Sequence, residues 1–347
     1  MPNCTPAKKG YTMPAEWEPH EATWISWPHA EGSSFPGAYQ RVLPTFVKMV
    51  NALAESEIVR INVKDAAQEA AVRAQLNGAP PERIEFFHVP TNEPWCRDHG
   101  PIFLTRKDSP KLAAVNFGFN AWGYKLSPFE EDDEAAPLIA QKTGAHLFDC
   151  GDFIFEGGSI DVNGKGTVLT TESCLLNPNR NPALSKAAIE KNLKDYLGVT
   201  QILWLGDGIE GDDTDGHVDD ITRFVNADTV VTVTEEDEDD PNFEPLEVNY
   251  HRLCAMNLQN GDPLHVLKLP MPSRIARDGQ RLPASYANFY IGNSVVLMPA
   301  YHDTNDAWAV SVLKEVFPTR TVVPIDCREL IWGLGAFHCL TQQQPAV

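Results

Sequence analysis

Four side chains able to act together, Asp98, Glu156, His217 and Cys339, stand at the mouths of short apolar segments spaced 58, 61 and 122 residues apart. A cysteine nucleophile needs access and a thiolate stabilised by nearby positive charge. Taken alone, Cys339 in WGLGAFHCLTQQQ reads more simply as a buried, inert thiol. The neighbouring His338 is the obvious base by adjacency, but adjacent residues of a strand face opposite ways, so an extended segment makes it the wrong histidine. In GHVDD, strand alternation puts His217 and Asp219 on one face and Val218 and Asp220 on the other. That pair offers one ligand a proton shuttle and a carboxylate, against an even reading as a surface histidine in an acidic loop. In EPWCRDHGP the same alternation groups Cys96, Asp98 and Gly100, and leaves Arg97 as a brace behind the site. Glu156 ends an FIF run before Gly157 and Gly158, where the backbone can approach closely; a desolvated acid there needs a partner, and a histidinium would serve.

The set combines one cysteine, one histidine and three carboxylates without metal-ligand spacing, so no metal or cofactor is expected. A cysteine attacking an anion or ester would gain nothing from three acids beside it. A planar cation would: guanidinium directs five N–H donors in fixed directions, and paired carboxylates meet them bidentately. The whole chain agrees. Its 347 residues carry 28 Lys+Arg against 48 Asp+Glu, a formal charge of −20, which disfavours nucleic-acid and anionic-membrane partners. A non-catalytic guanidinium-binding module would not need the nucleophile, and a metal hydrolase built on the His/Asp cluster is the minor alternative. In GDGIEGDDTDG, Gly216 follows Asp213 and Asp215 too early for an EF-hand loop.

The elements that must position these groups recur as a loose module: apolar strand, polar loop, amphipathic helix, second apolar strand. The clearest copy starts at Ser294, with Trp308, Ala309, Val312, Leu313, Val316 and Phe317 expected as one buried stripe. Another runs through GTVLTTES and ALSKAAIEKNLKDYLG, with Gly198 as its helix stop. Poorer copies begin near Ala22, Lys111 and Asp228. Five short segments lie between the copies, and the one at Tyr286–Ile291 carries no evident catalytic group. Five similar units with chemistry at matching positions suggest a closed radial α/β arrangement rather than a doubly wound sheet. No linker divides the chain, so residues 1–347 are expected to form one catalytic domain, with EEDEDD and LKLPMPSRIARDGQRLPAS as surface excursions. Seven scattered cysteines (Cys4 among them), no signal-peptide h-region and no apolar run near the roughly 18–20 residues of a membrane span point to a cytoplasmic setting. A homo-oligomer is left open.

MPAEWEPHEATWISWPH, PWCRDHGPIF, FNAWGYK, EGGSIDVNGKGTVLTTESCLLNPNRNP, DGHVDD and HCLTQQQP together resemble the landmarks of the agmatine deiminase / bacterial-type peptidylarginine deiminase family of guanidino-group-modifying enzymes. The resemblance spans residues 13 to 345 and implies a five-bladed α/β propeller (pentein) of ββαβ-type modules. It implies that Cys339 attacks the guanidinium carbon and that Asp98 and Asp219 hold its nitrogens. His217 would protonate departing ammonia and then activate water, oriented by Glu156. The activity implied is hydrolysis of agmatine to N-carbamoylputrescine and ammonia, a step of putrescine biosynthesis. A peptidyl-arginine deiminase or an amidinotransferase on the same scaffold is the alternative. Two stretches depart from the usual agmatine deiminase pattern: GLGAFHC, with Ala336 where Asn is usual, and AEGSSFPGAY after WPH. Trp95 is a candidate substrate-binding residue; for it, as for Trp24, Trp27 and Trp122, core packing is the plainer role.

Overall fold

A computed structural model describes residues 5–347; Cys4 lies outside the described residues. The recurring module is real. The chain opens with three parallel strands, β1 (His20–Ser26), β2 (Ile58–Val63) and β3 (Ile84–His88). Four three-stranded sheets follow, each with its first strand antiparallel to the second and its third parallel to the second. They are β4 (Ile102–Thr105), β5 (Leu112–Gly118) and β6 (His146–Ile154); then β7 (Ile160–Val162), β8 (Thr167–Thr171) and β9 (Gln201–Leu205). Next come β10 (Thr222–Phe224), β11 (Thr229–Thr234) and β12 (His265–Pro270). After the small hairpin β13 (Ala276–Arg277)–β14 (Gln280–Arg281) come β15 (Tyr290–Ile291), β16 (Val295–Ala300) and β17 (Thr321–Asp326). The last strand, β18 (Thr341–Pro345), returns to pair antiparallel with β1, Trp24 opposite Gln342, and supplies the antiparallel strand the first sheet lacked.

Each parallel pair is joined through helix, and local sequence explains why. In Lys186–Leu197, Ser185 accepts from the Ala188 N–H, Ile189, Leu193 and Leu197 form the buried stripe, and Gly198 ends the helix at φ 70°. In Asp306–Val316, Ala309 and Leu313 are buried, as is Phe317 just beyond, but Trp308 is 41% exposed, so the expected stripe is narrower. Trp308 sits one step off the i, i+4 row and faces outward. Of the expected surface segments, EEDEDD is one, but LKLPMPSRIARDGQRLPAS is not: it begins in β12, buries residues 269–272 and 281–285, and its β13–β14 hairpin lends Arg277 to the cavity described below.

What positions the chemistry is the entry to each antiparallel strand. Before β4, β7, β10 and β18 the chain makes a single helical turn, at Cys96–His99, Gly157–Ser159, Val218–Asp220 and Phe337–Leu340. Before β15 it runs as irregular chain through Ser285–Phe289. The Phe337–Leu340 turn packs on Cys96–His99, that turn on Gly157–Ser159, and Gly157–Ser159 on Val218–Asp220, while Asn288 of the irregular segment reaches His338 and Cys339. Strand alternation therefore does not govern the site residues: they sit on tight turns, where successive side chains fan out. Cys96, expected beside Asp98, instead packs with Trp24, Phe103 and Ala114.

Candidate active site

Asp98 and Cys339, each 5% exposed, meet at the floor of a cavity of ≈ 150 Å³. Trp95, Trp122, Leu126 and Gly335 wall it, with Asp213, Arg277 and Trp332 on the more exposed side. Beneath the floor lie His217, Glu156 and Asp219, all fully buried. His217 is held between two carboxylates, with Nδ1 3.8 Å from Asp98 Oδ1 and Nε2 3.8 Å from Glu156 Oε2. Gly158 is the pivot of this packing. A Cβ there would lie 2.6 Å from His217 Nδ1, 2.9 Å from Asp98 Oδ1 and 3.0 Å from Asp219 Oδ2, so glycine alone lets the three groups converge.

Each carboxylate has its own support. Asp98 accepts from the Gly158 N–H (2.9 Å) and the Trp122 indole N–H (3.0 Å). Arg180 donates to Glu156 Oε1 at 2.6 Å and braces against Asp215. His338 donates from Nδ1 to Asp219 (2.6 Å) and from Nε2 to Glu16 (2.9 Å), with Arg223 and Arg97 behind Glu16. Hydrogen-bonded to a carboxylate at each ring nitrogen, His338 is fixed behind Asp219. His338 thus does not serve Cys339, but it holds the carboxylate beside it. Arg97 braces as expected, reaching the His338 carbonyl, Gln342 and Gln343.

The electrostatics follow. Burial, with Asp219 and Glu156 nearby, pushes Asp98 up to about 6 despite His217 and the Gly158 N–H. Burial opposes charge on Glu156 and Asp219 too, yet Arg180 and His217 hold Glu156 below the usual carboxylate range, and His338 does the same for Asp219. Burial also works against a charged His217, but Asp98, Cys174 and Glu156 outweigh it and raise it well above an ordinary histidine. Burial, then Asp219, Asp220 and Asp98, push the Cys339 thiol well above its usual range, with the Asn288 amide pulling the other way. Both nitrogens of His217, Glu156 Oε2 and Asp219 Oδ1 are buried without hydrogen-bond partners, so polar capacity is concentrated where a polar ligand would lie.

Glu156, Cys174 and His217 bring three potential metal-ligand atoms within 4.8 Å of one another. The Arg180 guanidinium, 2.6 Å from Glu156, sets a permanent positive charge against a dication there. In the EF-hand-like stretch the oxygens are already engaged: Asp212 accepts from Thr214 and Gly216, and Asp215 pairs with Lys125 and Arg180.

Trp95 lines the cavity and donates to Ser34, while Trp24 and Trp27 lie in the core. Trp122, one of the four tryptophans considered, meets Asp98 directly. The segment expected to be catalytically blank reaches the site: its Asn288 contacts Cys339 Sγ at 3.0 Å. Asn288, Arg180 and Glu16 carry no spacing signal in the sequence; each matters only through its tertiary partner.

The Porphyromonas-type peptidyl-arginine deiminase family matches residues 12–345. The chain belongs to this family. Agmatine deiminase of Pseudomonas aeruginosa is 38% identical, over 99% of this chain and 98% of that protein. The solved agmatine deiminase of Enterococcus faecalis superposes with a TM-score of 0.93 at 36% identity, covering 99% of this chain and 98% of that one. An amidinotransferase from Microseira wollei shares only the fold, with a TM-score of 0.53 at 12% identity over 96% of each chain. No helix among the described residues is long and apolar enough to cross a membrane.

Proposed function

We propose that the protein is a hydrolytic deiminase of a small cationic guanidino substrate, converting agmatine and water to N-carbamoylputrescine and ammonia. One observation carries the reading. A thiol and two carboxylates face a narrow, tryptophan-walled cavity above an imidazole held between two acids. The guanidinium enters flat, its N–H groups shared by Asp98 and Asp219, which brings its carbon to Cys339 Sγ. As the cation arrives the thiol gives up its proton to solvent, and attack of the thiolate gives a tetrahedral adduct. His217, charged by its acidic neighbours, gives a proton to the departing amine, and ammonia leaves a covalent thiouronium. The now neutral His217 takes a proton from water, which attacks the same carbon. The thiolate is expelled and takes up the proton of the new hydroxyl as its carbonyl forms, which restores the thiol and releases the ureido product. Glu156, fixed by Arg180, orients His217 through both steps.

Full-length likeness to agmatine deiminases supports agmatine over an arginyl peptide. So does Asp213 in the cavity wall, a carboxyl suited to a distal ammonium. The amidinotransferase alternative needs an amine acceptor beside the thiouronium, and nothing in the cavity selects one over water. The proposal includes a single catalytic unit built as a five-bladed α/β propeller, with five sheets feeding five inward segments. The six cysteines among the described residues are all unpaired, which suits the reducing cytoplasm that a nucleophilic thiol needs. Self-association into a homo-oligomer is compatible with this site, which draws all its groups from one chain.

A colour assay for ureido product against agmatine, free arginine and an arginyl peptide tests the reading, with Cys339→Ser alongside. Turnover of agmatine alone, abolished in the variant, is expected. Turnover surviving Cys339→Ser would sink the covalent route.

A further inference from the structure

Asn288 is buried on the irregular segment before β15, and its amide makes four hydrogen bonds, all to the region of Cys339. Oδ1 accepts the backbone N–H groups of His338 (3.0 Å) and Cys339 (3.3 Å). Nδ2 donates to Asp220 Oδ1 (2.9 Å) and to Cys339 Sγ (3.0 Å). Only the carbonyl oxygen can accept from two backbone donors, so the amide cannot be flipped and its NH₂ must face the sulfur.

We propose that Asn288 is a further catalytic residue, whose N–H stabilises the Cys339 thiolate as it forms and departs. The inference rests on the assignment of Cys339 as nucleophile. The other polar side-chain contact of the sulfur among the described residues is anionic, Asp219 Oδ2 at 3.5 Å, with Asp98 across the cavity floor and Asp220 behind. A thiol in that setting keeps its proton and points it at Asp219. The asparagine N–H is the one group that gains as negative charge grows on sulfur, because an N–H to an anion is about twice as strong as one to a neutral atom. A bond that strengthens only as the charge develops lowers the barrier rather than merely tightening the resting state. It acts twice, when the thiolate attacks and when it is expelled from the second tetrahedral adduct. Fixing Oδ1 on two backbone N–H groups means the donor is aimed before the substrate arrives, so no reorganisation is needed during the reaction.

The competing role is purely structural: the amide could simply pin the Phe337–Leu340 turn. The two roles separate on the thiol's own reactivity. Asn288→Asp keeps the acceptor for both backbone N–H groups while removing the donor to sulfur; Asn288→Ser removes both and guards against misfolding of the first variant. Iodoacetamide alkylation of the Cys339 peptide, followed by mass spectrometry from pH 6 to 10, reads the thiolate population, and agmatine turnover is measured in parallel. Both variants should alkylate about tenfold more slowly at pH 8, with the profile displaced to the alkaline side. The kcat/KM of each should fall about a hundredfold, as when one preorganised donor is removed from a developing anion, with KM within about threefold of the wild type. An unmoved alkylation profile in variants that still bind agmatine would overturn the inference. Turnover persisting in Cys339→Ser would instead defeat the underlying assignment, so the two failures are distinguishable.

Discussion

Replacing Trp122 by Phe should convert a neutral-pH enzyme into an alkaline one. Trp122 sits in a left-handed turn: Ala121, Trp122, Gly123 and Tyr124 have φ of 51°, 57°, 92° and 65°. Each non-glycine residue there costs about 1–2 kcal/mol, so the turn survives only because it is held. Asn120 holds it, accepting from the Gly123 N–H and donating to the Asn179 carbonyl, both at 2.9 Å. What the strain achieves is placement of the indole N–H 3.0 Å from Asp98 Oδ2. A hydrogen bond to a charged group is worth about 1.5–3 kcal/mol. At about 1.36 kcal/mol per pKa unit, its loss should carry Asp98 from about 6 to about 7–8. Only ionised Asp98 can bind guanidinium, so at pH 6 the competent fraction falls from about half to about 1–10%, and kcat/KM falls about 5- to 50-fold. At pH 9 the variant should come within about threefold of the wild type, because phenylalanine keeps the ring packing against Phe119. Ureido-product assays of kcat/KM from pH 5 to 9 measure this directly. An equal loss at every pH would mean that Trp122 acts by packing alone, and the electrostatic argument would fail.

Gly158→Ala places a methyl 2.6 Å from His217 Nδ1 and should cost about a hundredfold or more in kcat, with the far-ultraviolet circular dichroism spectrum unchanged. In Cys339→Ser, which cannot turn over, agmatine affinity by calorimetry should be flat above pH 7 and weaken about tenfold by pH 5, as Asp98, raised to about 6, takes up a proton. A pH-independent affinity would deny Asp98 its role. Glu16→Gln leaves His338, Arg223 and Arg97 without their shared carboxylate and should cost about 3–5 kcal/mol of stability at pH 7, read as a lower thermal midpoint. Burial opposes the Glu16 charge, but Arg223, His338 and Arg97 hold its pKa below that of an unfolded glutamate. Its contribution is therefore present above about pH 4.5 and lost on acidification, so the gap between variant and wild type should close at low pH.

The repeat of strand, helix, strand was legible because it rests on local periodicity, and the residue types of the site were legible because unlike chemistry recurred at module ends. The route from one to the other was not. Strand alternation grouped His217 with Asp219, but the Val218–Asp220 turn, not a pleat, is what presents them together. His338 shows the limit most clearly. Its neighbour Cys339 is one residue away, yet its partners are 119 and 322 residues distant, at Asp219 and Glu16. Buried ion networks are closed by tertiary pairing, and no local pattern encodes which distant charge arrives. The same holds for Asn288, whose amide means nothing until the Phe337–Leu340 turn is docked against it.

A site meant to hold a cation must collect negative charge without collapsing or neutralising, and the three acids divide that task. Glu156 is tied to Arg180 and Asp219 to His338, and these partners hold both below the usual carboxylate range. Asp98 has only neutral N–H donors and His217 at 3.8 Å, and it alone of the three is pushed up, to about 6. It therefore gains most from an incoming guanidinium. The same cation offsets the acids that keep Cys339 protonated, so substrate arrival settles Asp98 as a carboxylate and eases Cys339 toward the thiolate in one event. In the proposed mechanism the nucleophile is then strongest only when its target is in place, which is how a cavity lined with acids would host a reactive cysteine.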